Sequence, residues 1–244
     1  MKRAKIIVIE GTDGSGKETQ SKKLFEFLTN NNYKVKRYSF PIYESASGKI
    51  VGGPYLGKSE IGESYFKETS AKVDPLVSSL YYAADRRYNF LLEIENELYN
   101  NDVVILDRYV TSNQGHQASK AKTKEERLKI LEFIDKLEYD LCELPRPDKV
   151  IFLHMPFEAS FELRKNRTTT DGNESNEEHL RNAEKTYLEI CDMYKWDYIN
   201  CLRNDKFNNL NDIKTIDEIS EEINVIVKEL LNKDVENIKK MTKF

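Results

Sequence analysis

Residues 10–20 read EGTDGSGKETQ, and within them Gly11, Gly16 and Lys17 stand at the GxxxxGK spacing. The stretch before it, KIIVIE (Lys5 to Glu10), is short, β-branched and apolar, as a strand buried on both faces is. The stretch after it predicts a helix from about Lys17 to Asn30, with Leu24, Phe25 and Leu28 on one face. A glycine-rich turn between a buried strand and a helix curls the backbone so that successive N–H groups face an anion. The helix adds the positive end of its dipole. Lys17 supplies a point charge for the outer phosphates of a nucleotide. The hydroxyl usual after the lysine is displaced by one place, because Glu18 precedes Thr19.

Outward from this loop the same alternation continues. KVKRYSF (Lys34 to Phe40) reads as a second strand ending at Pro41. An irregular stretch to about Val73 then holds five of the ten glycines. A long helix is predicted from Pro75 to Tyr99, with Asp74 as N-cap and Leu76, Leu80, Ala83, Ala84, Leu91, Ile94 and Leu98 as its buried face. DVVILD (Asp102 to Asp107), KVIFLHM (Lys149 to Met155) and WDYINC (Trp196 to Cys201) complete five strands. Helices are predicted over Lys122 to Leu141, Phe157 to Asn166, up to about Tyr194, and over Asp212 to Leu231. Alternating strands and helices imply an α/β fold with a parallel sheet covered on both faces, and ligands at the carboxyl ends of its strands. Residues 1–231 read as a single domain, with a polar lid over about 164–178 and a charged tail over 232–244.

Composition narrows the class. The 244 residues are 39% hydrophobic and 33% charged, as in a globular protein, and the net charge of −4 argues against nucleic acid as a partner. No run approaches the roughly 18 apolar residues of a membrane span. Three cysteines without a CxxC pair suggest neither a disulfide framework nor a zinc site, which fits a cytoplasmic setting.

Five segments in order, EGTDGSGKETQ, FPIY, YYAADRR, VVILDRYVTSNQGHQ and LPRPDKVIFL, resemble the thymidylate kinase family over about Lys5 to Cys201. That resemblance implies a P-loop kinase fold with strand order 2-3-1-4-5, ATP as phosphoryl donor, Mg²⁺, dTMP as acceptor and a homodimer. The long helix from Pro75 is the candidate dimer interface. On this reading Gly11, Asp13, Gly14, Ser15, Gly16, Lys17, Glu18 and Thr19 form the ATP site. Asp107 orients metal-bound water, with Thr19 a second metal candidate. Lys17, Asp107 and Arg108 are catalytic, joined by Arg164 or Arg167 from the lid, because the loop itself carries no arginine. The acceptor is held by Asp13 at the sugar 3′-hydroxyl, Arg108 and Tyr43 at the phosphate, and Phe40 as pocket wall. Tyr82 stacks on the base, Arg86 hydrogen-bonds it, and Ser112 and Asn113 address its edge, with Gln117 as further lining.

Two positions depart from the family pattern. Ile42 stands where many members carry an arginine, and His116 where many carry a tyrosine under the sugar. His116 therefore opens the question of deoxyribose preference. A kinase of another nucleoside monophosphate, or a nucleotide-binding regulator with weakened turnover, are the competing readings.

Overall fold

The computed structural model describes residues 3–164 and 177–241, with side chains described over 3–163 and 177–232. Five strands form its sheet: β1 (Lys5–Gly11), β2 (Val35–Ser39), β3 (Val103–Asp107), β4 (Lys149–His154) and β5 (Asp197–Asn200). The order is β2-β3-β1-β4-β5 and every neighbouring pair is parallel, which is the order expected from the resemblance. Register places Ile9 beside Asp107 and Asp107 beside Ser39, so the loop after β1 opens next to the carboxyl ends of β2 and β3.

The central strands are apolar through their middles for a simple reason. Side chains alternate across the sheet, and both faces are covered. Ile6, Val8, Val104 and Leu106 enter one core with Phe90, Ile94, Leu98, Leu131 and Ile190. Ile7, Ile9, Val103 and Ile105 enter the other, with Leu24 and Leu28 of α1 (Lys17–Asn30) and Ile219, Ile223 and Val227 from the last helix. Each fully buried aliphatic side chain contributes about 1.5–3 kcal/mol relative to exposure.

The irregular stretch after β2 is an ordered arm. Ser45 caps α2 (Ala46–Ile50) by accepting from the Gly48 N–H at 3.0 Å, and a widened turn over Val51–Tyr55 comes directly after it. Tyr55 is buried and stacks on Tyr81 with centroids 5.1 Å apart. Its hydroxyl donates to Ser78 at 2.9 Å.

The long helix forms as α3 (Pro75–Asn89), a widened turn over Phe90–Ile94, and α4 (Glu95–Asn100). Asp74 caps it, accepting from the N–H groups of Leu76 and Val77 at 2.9 and 3.0 Å. Its expected buried face requires correction. Ala83, Ile94 and Leu98 are buried, but Leu76, Leu80, Ala84 and Leu91 face outward, with Leu80 and Leu91 50% and 54% exposed. Inward the helix presents Ser78, Ser79, Asp85, Arg86 and Asn89, because this face meets a polar pocket and the arm. Asp85 is the anchor, accepting from the Ile42 N–H at 3.1 Å, Ser47 Oγ at 2.8 Å and Asn89 Nδ2 at 2.8 Å.

The remaining helices are α5 (Val110–Ala118), α6 (Lys124–Asp135) with a widened turn over Lys136–Leu141, α7 (Phe157–Arg164), α8 (Glu177–Tyr194) and α9 (Ile216–Met241). The last helix continues through residue 232 to Met241. No helix among the described residues is long and apolar enough to cross a membrane.

Candidate active site

The loop after β1 adopts the conformation its glycines permit. Gly14 and Gly16 have φ of 82° and 80°, a region that a side chain disfavours, and Gly16 directly precedes α1. Lys17 folds back over the loop, donating from Nζ to the carbonyls of Gly11 and Thr12, each at 2.9 Å. Burial pushes its pKa down to about 8, helped by nearby Arg108 and opposed by Asp13, Glu10 and Asp107. Glu18 borders the cleft, exposed, and accepts from Lys22 Nζ at 2.5 Å, one helical turn on. Thr19 is also exposed, on the first turn of α1. Ser15 Oγ is buried without a partner.

Arg108 comes just after β3 with φ of 65°, left-handed for a non-glycine residue and so held under strain of about 1–3 kcal/mol. Its Nη2 donates to Asp13 Oδ1 at 3.0 Å. Burial works against the Asp13 charge, yet Arg108 and Lys17 hold its carboxyl well below the usual carboxylate range. Asp107 is buried and accepts from Ser39 Oγ at 3.1 Å and Arg37 Nη2 at 3.3 Å.

Beside this group lies a cavity. All ten residues expected around an acceptor border it: Asp13, Phe40, Tyr43, Tyr82, Arg86, Arg108, Ser112, Asn113, His116 and Gln117, together with Pro41 and Leu56. An adjoining cleft runs along the loop past Gly14, Gly16, Lys17, Glu18 and Thr19, and shares Asp13, Tyr43 and Arg108 with the cavity. Donor loop and cavity therefore meet at one aspartate and one arginine.

The cavity wall is built on charge. Arg86 is buried and makes a two-pronged pair with Glu138 through Nε and Nη2, the latter at 2.7 Å. Burial works against the guanidinium charge, but Glu138 raises its pKa above the ordinary value. Asn113 Nδ2 donates to Glu138 Oε1 at 2.8 Å and to the Ser79 carbonyl at 3.2 Å. Both neighbours are acceptors, which fixes the amide orientation and leaves Asn113 Oδ1 buried without a partner. His116 Nδ1 and Gln117 Oε1 are unpartnered too. Three orphaned polar atoms around one cavity are costly in isolation, at about 1–3 kcal/mol each, and a polar ligand relieves that cost. His116 stacks on His179 at 5.8 Å and meets Tyr187 edge-on at 5.5 Å. Burial pushes its pKa down to about 3, against the pull of Asp13, so the ring is neutral.

Several supporting residues are not apparent from the sequence motifs. Glu10 is fully buried and accepts from Thr111 Oγ1 and Ser112 Oγ, each at 2.7 Å, and from Tyr187 at 3.3 Å. The Ser112 hydroxyl proton is thereby directed to Glu10. Glu138 succeeds Ile130 and Ile134 at a spacing of four, and an acid on an apolar helix stripe is a signal that the sequence does carry. Arg37 from β2 and Lys58 from the arm also border the cleft and belong to no motif. The lid, Arg167 and the side chain of Arg164 lie outside the described residues.

The thymidylate kinase family model matches residues 9–213. The chain belongs to the thymidylate kinase family. Members of this family are ATP-dependent phosphotransferases. A thymidylate kinase of Prochlorococcus marinus (strain MIT 9312) is 31% identical over 204 residues, covering 84% of this chain and 91% of the relative. A probable thymidylate kinase of Pyrococcus horikoshii is 28% identical, covering 93% of this chain and 97% of the relative. The solved structure of thymidylate kinase from Candida albicans superposes with a TM-score of 0.69 at 23% identity, covering 94% and 93% of the two chains, and so matches in fold.

Proposed function

We propose that this protein transfers the γ-phosphoryl group of ATP to dTMP, giving ADP and dTDP. The observation that carries the proposal is the cavity that joins Asp13 and Arg108 to the orphaned atoms of Asn113, His116 and Gln117. Asn113 Oδ1 and Gln117 Oε1 are acceptors, and a thymine ring brings an N3–H donor. Tyr82 and Arg86 lie four apart on α3 and border the same cavity, so an aromatic face and a cation address one flat ligand. Asp13 takes the sugar 3′-hydroxyl, and Arg108 takes the acceptor phosphate.

The chemistry asks little of a base. A phosphate monoester loses its second proton at a pKa of about 6, so the attacking oxygen is already ionised at neutral pH. The task is to bring two polyanions together and offset their charge. Lys17 and Arg108 do this from the loop and from the end of β3. Among the described residues no group of three His, Cys, Asp or Glu could cage a metal. Asp107 beside the loop is a hard oxygen donor, which fits Mg²⁺ held mainly by phosphate oxygens and water, with the Thr19 hydroxyl as a further ligand candidate. Mg²⁺ there supplies charge neutralisation on the transferring phosphates.

One observation favours a broader acceptor range. His116 borders the cavity together with Asp13 and has its Nδ1 unsatisfied, and on this reading a neutral imidazole nitrogen can pair with a ribose hydroxyl. ADP release with ATP, Mg²⁺ and a panel of dTMP, dUMP, UMP, dCMP, AMP and GMP tests both statements. Turnover of dTMP far above the rest supports selective thymidylate kinase activity. Equal turnover of UMP assigns the looser sugar preference to His116, and failure with every acceptor contradicts the proposal.

The outward stripe of α3 and the turn after it, Leu76, Val77, Leu80, Leu91 and Leu92, supports a homodimer built on this helix. Three free cysteines fit a reducing cytoplasm.

A further inference from the structure

Side chains alternate along a strand, so one face of β2 carries Val35, Arg37 and Ser39. Val35 packs into the core that holds Leu24 of α1 and Ile105 of β3, and this face turns polar toward the carboxyl end of the strand. In the parallel register Arg37 stands beside Ile105, and Ser39 beside Asp107. Arg37, Ser39 and Asp107 therefore share the side of the sheet that α1 covers.

The Arg37 guanidinium joins three elements there. Its Nε donates to Ser21 Oγ on α1 at 2.8 Å, and its Nη2 donates to Asp107 Oδ2 at the end of β3 at 3.3 Å. Ser21 is fully buried one helical turn after Lys17. Its single hydroxyl proton goes to the Glu18 carbonyl at 2.9 Å, which leaves its oxygen to receive Arg37. Ser39 Oγ donates to Asp107 Oδ2 at 3.1 Å. Both bonds to Asp107 fall on the same oxygen, and neither competes for Oδ1. Asp107, with its side chain only 4% exposed, borders the donor cleft together with Lys17, Arg37 and Ser39. A planar fork can hold a serine and a carboxylate at once, which a lysine ammonium does with far less geometric control.

We propose that Arg37 is a positioning residue for phosphoryl transfer, which fixes Asp107 through Oδ2 and so presents Oδ1 to the ligands of the donor cleft. The inference rests on Asp107 acting as an oxygen donor beside the metal-bearing phosphates. Arg37 acts through Asp107 and ties its aim to the helix that begins at Lys17.

The test is a double-mutant cycle of Arg37→Met, Asp107→Asn and the two combined. The readouts are kcat, the KM for dTMP, and the Kd of Mn²⁺ for the ADP-bound protein followed by electron paramagnetic resonance. Loss of a partner that orients a metal-binding carboxylate costs roughly 10- to 100-fold in metal affinity or activity. Arg37→Met is expected to lose that much in kcat and in Mn²⁺ affinity, with the KM for dTMP unchanged. In the Asp107→Asn protein the same replacement shifts either quantity by less than about twofold, because the group it serves is already gone. Ser21→Ala, which frees only Nε, shifts kcat and Mn²⁺ affinity the same way by a smaller factor. Equal losses from Arg37→Met in both backgrounds make Arg37 a direct phosphate contact and overturn the role. No loss, or tighter Mn²⁺ binding in Arg37→Met, overturns it too. Each of these results leaves the proposed function standing as long as the wild type turns over dTMP, whereas a wild type inactive with dTMP overturns that function itself.

Discussion

Replacing Glu138 with glutamine separates the two things its carboxylate does. Glu138 is fully buried, receives two hydrogen bonds from Arg86 and one from Asn113, and faces no solvent that could replace them. Glutamine keeps one acceptor oxygen but turns an NH₂ group toward a guanidinium that only donates. Breaking one side of a buried pair costs about 3–5 kcal/mol, and the near-isosteric exchange belongs at the lower end, about 3 kcal/mol. For a chain of this size that lowers the melting temperature by roughly 6–12 °C. Because Arg86 and Asn113 both lose their fixed positions, kcat/KM for dTMP falls while the KM for ATP holds. Adding Arg86→Met removes the stranded charge, so the double variant recovers most of the melting temperature and none of the dTMP turnover. Thermal melts and steady-state kinetics on the three variants decide the matter. A single variant that melts within about 2 °C of wild type, or a double variant no more stable than the single, would refute this account of the pocket wall.

Four further outcomes are expected. Lys17→Ala lowers phosphoryl transfer by roughly 100- to 1,000-fold with an unchanged circular dichroism spectrum; near-normal turnover contradicts the loop assignment. Gly115→Ala brings a Cβ within 2.1 Å of the Tyr187 ring and costs about 1–3 kcal/mol in a denaturant melt, despite the better helix propensity of alanine, so a neutral result shows that the ring has room to move. The pKa of His116 is about 3 when folded, against an ordinary 6.5, so the unfolded chain binds more protons between those values and stability falls as pH drops below 6.5. By about pH 5 this amounts to about 2 kcal/mol, which His116→Phe removes from the difference between melts at about pH 7 and pH 5; an unchanged difference refutes it. Leu80→Glu, on the outward stripe of α3, converts a dimer to a monomer in sedimentation velocity without lowering helix content; an unchanged sedimentation coefficient places any interface elsewhere.

The three central strands were legible because they are short apolar runs rich in β-branched residues, and because the glycine pattern from Gly11 to Lys17 demands a strand before it and a helix after it. The cavity was legible through the family resemblance, whose motifs carry the residues that border it. What the sequence concealed has a common physical character. The outward Leu76, Leu80 and Leu91 share the periodicity of a core face, and periodicity alone does not say which side of a helix meets the protein. Glu10, Asp85 and Glu138 are buried acids whose cost is offset by partners distant in the chain, such as Ser112, Ile42 and Arg86. Such pairings are tertiary facts. The arm after β2 reads as irregular because its order comes from the Tyr55–Tyr81 stack and from backbone hydrogen bonds, not from a repeating pattern.

The central claim is that donor loop and cavity cooperate in passing one phosphoryl group between nucleotides. Incubation of the protein with ATP labelled at the γ-phosphorus, dTMP and Mg²⁺, with subsequent separation of the nucleotides, tests it most directly. The account predicts that the label moves into dTDP, and that it does so only when dTMP is present. Label appearing as inorganic phosphate, or remaining in ATP, would contradict it.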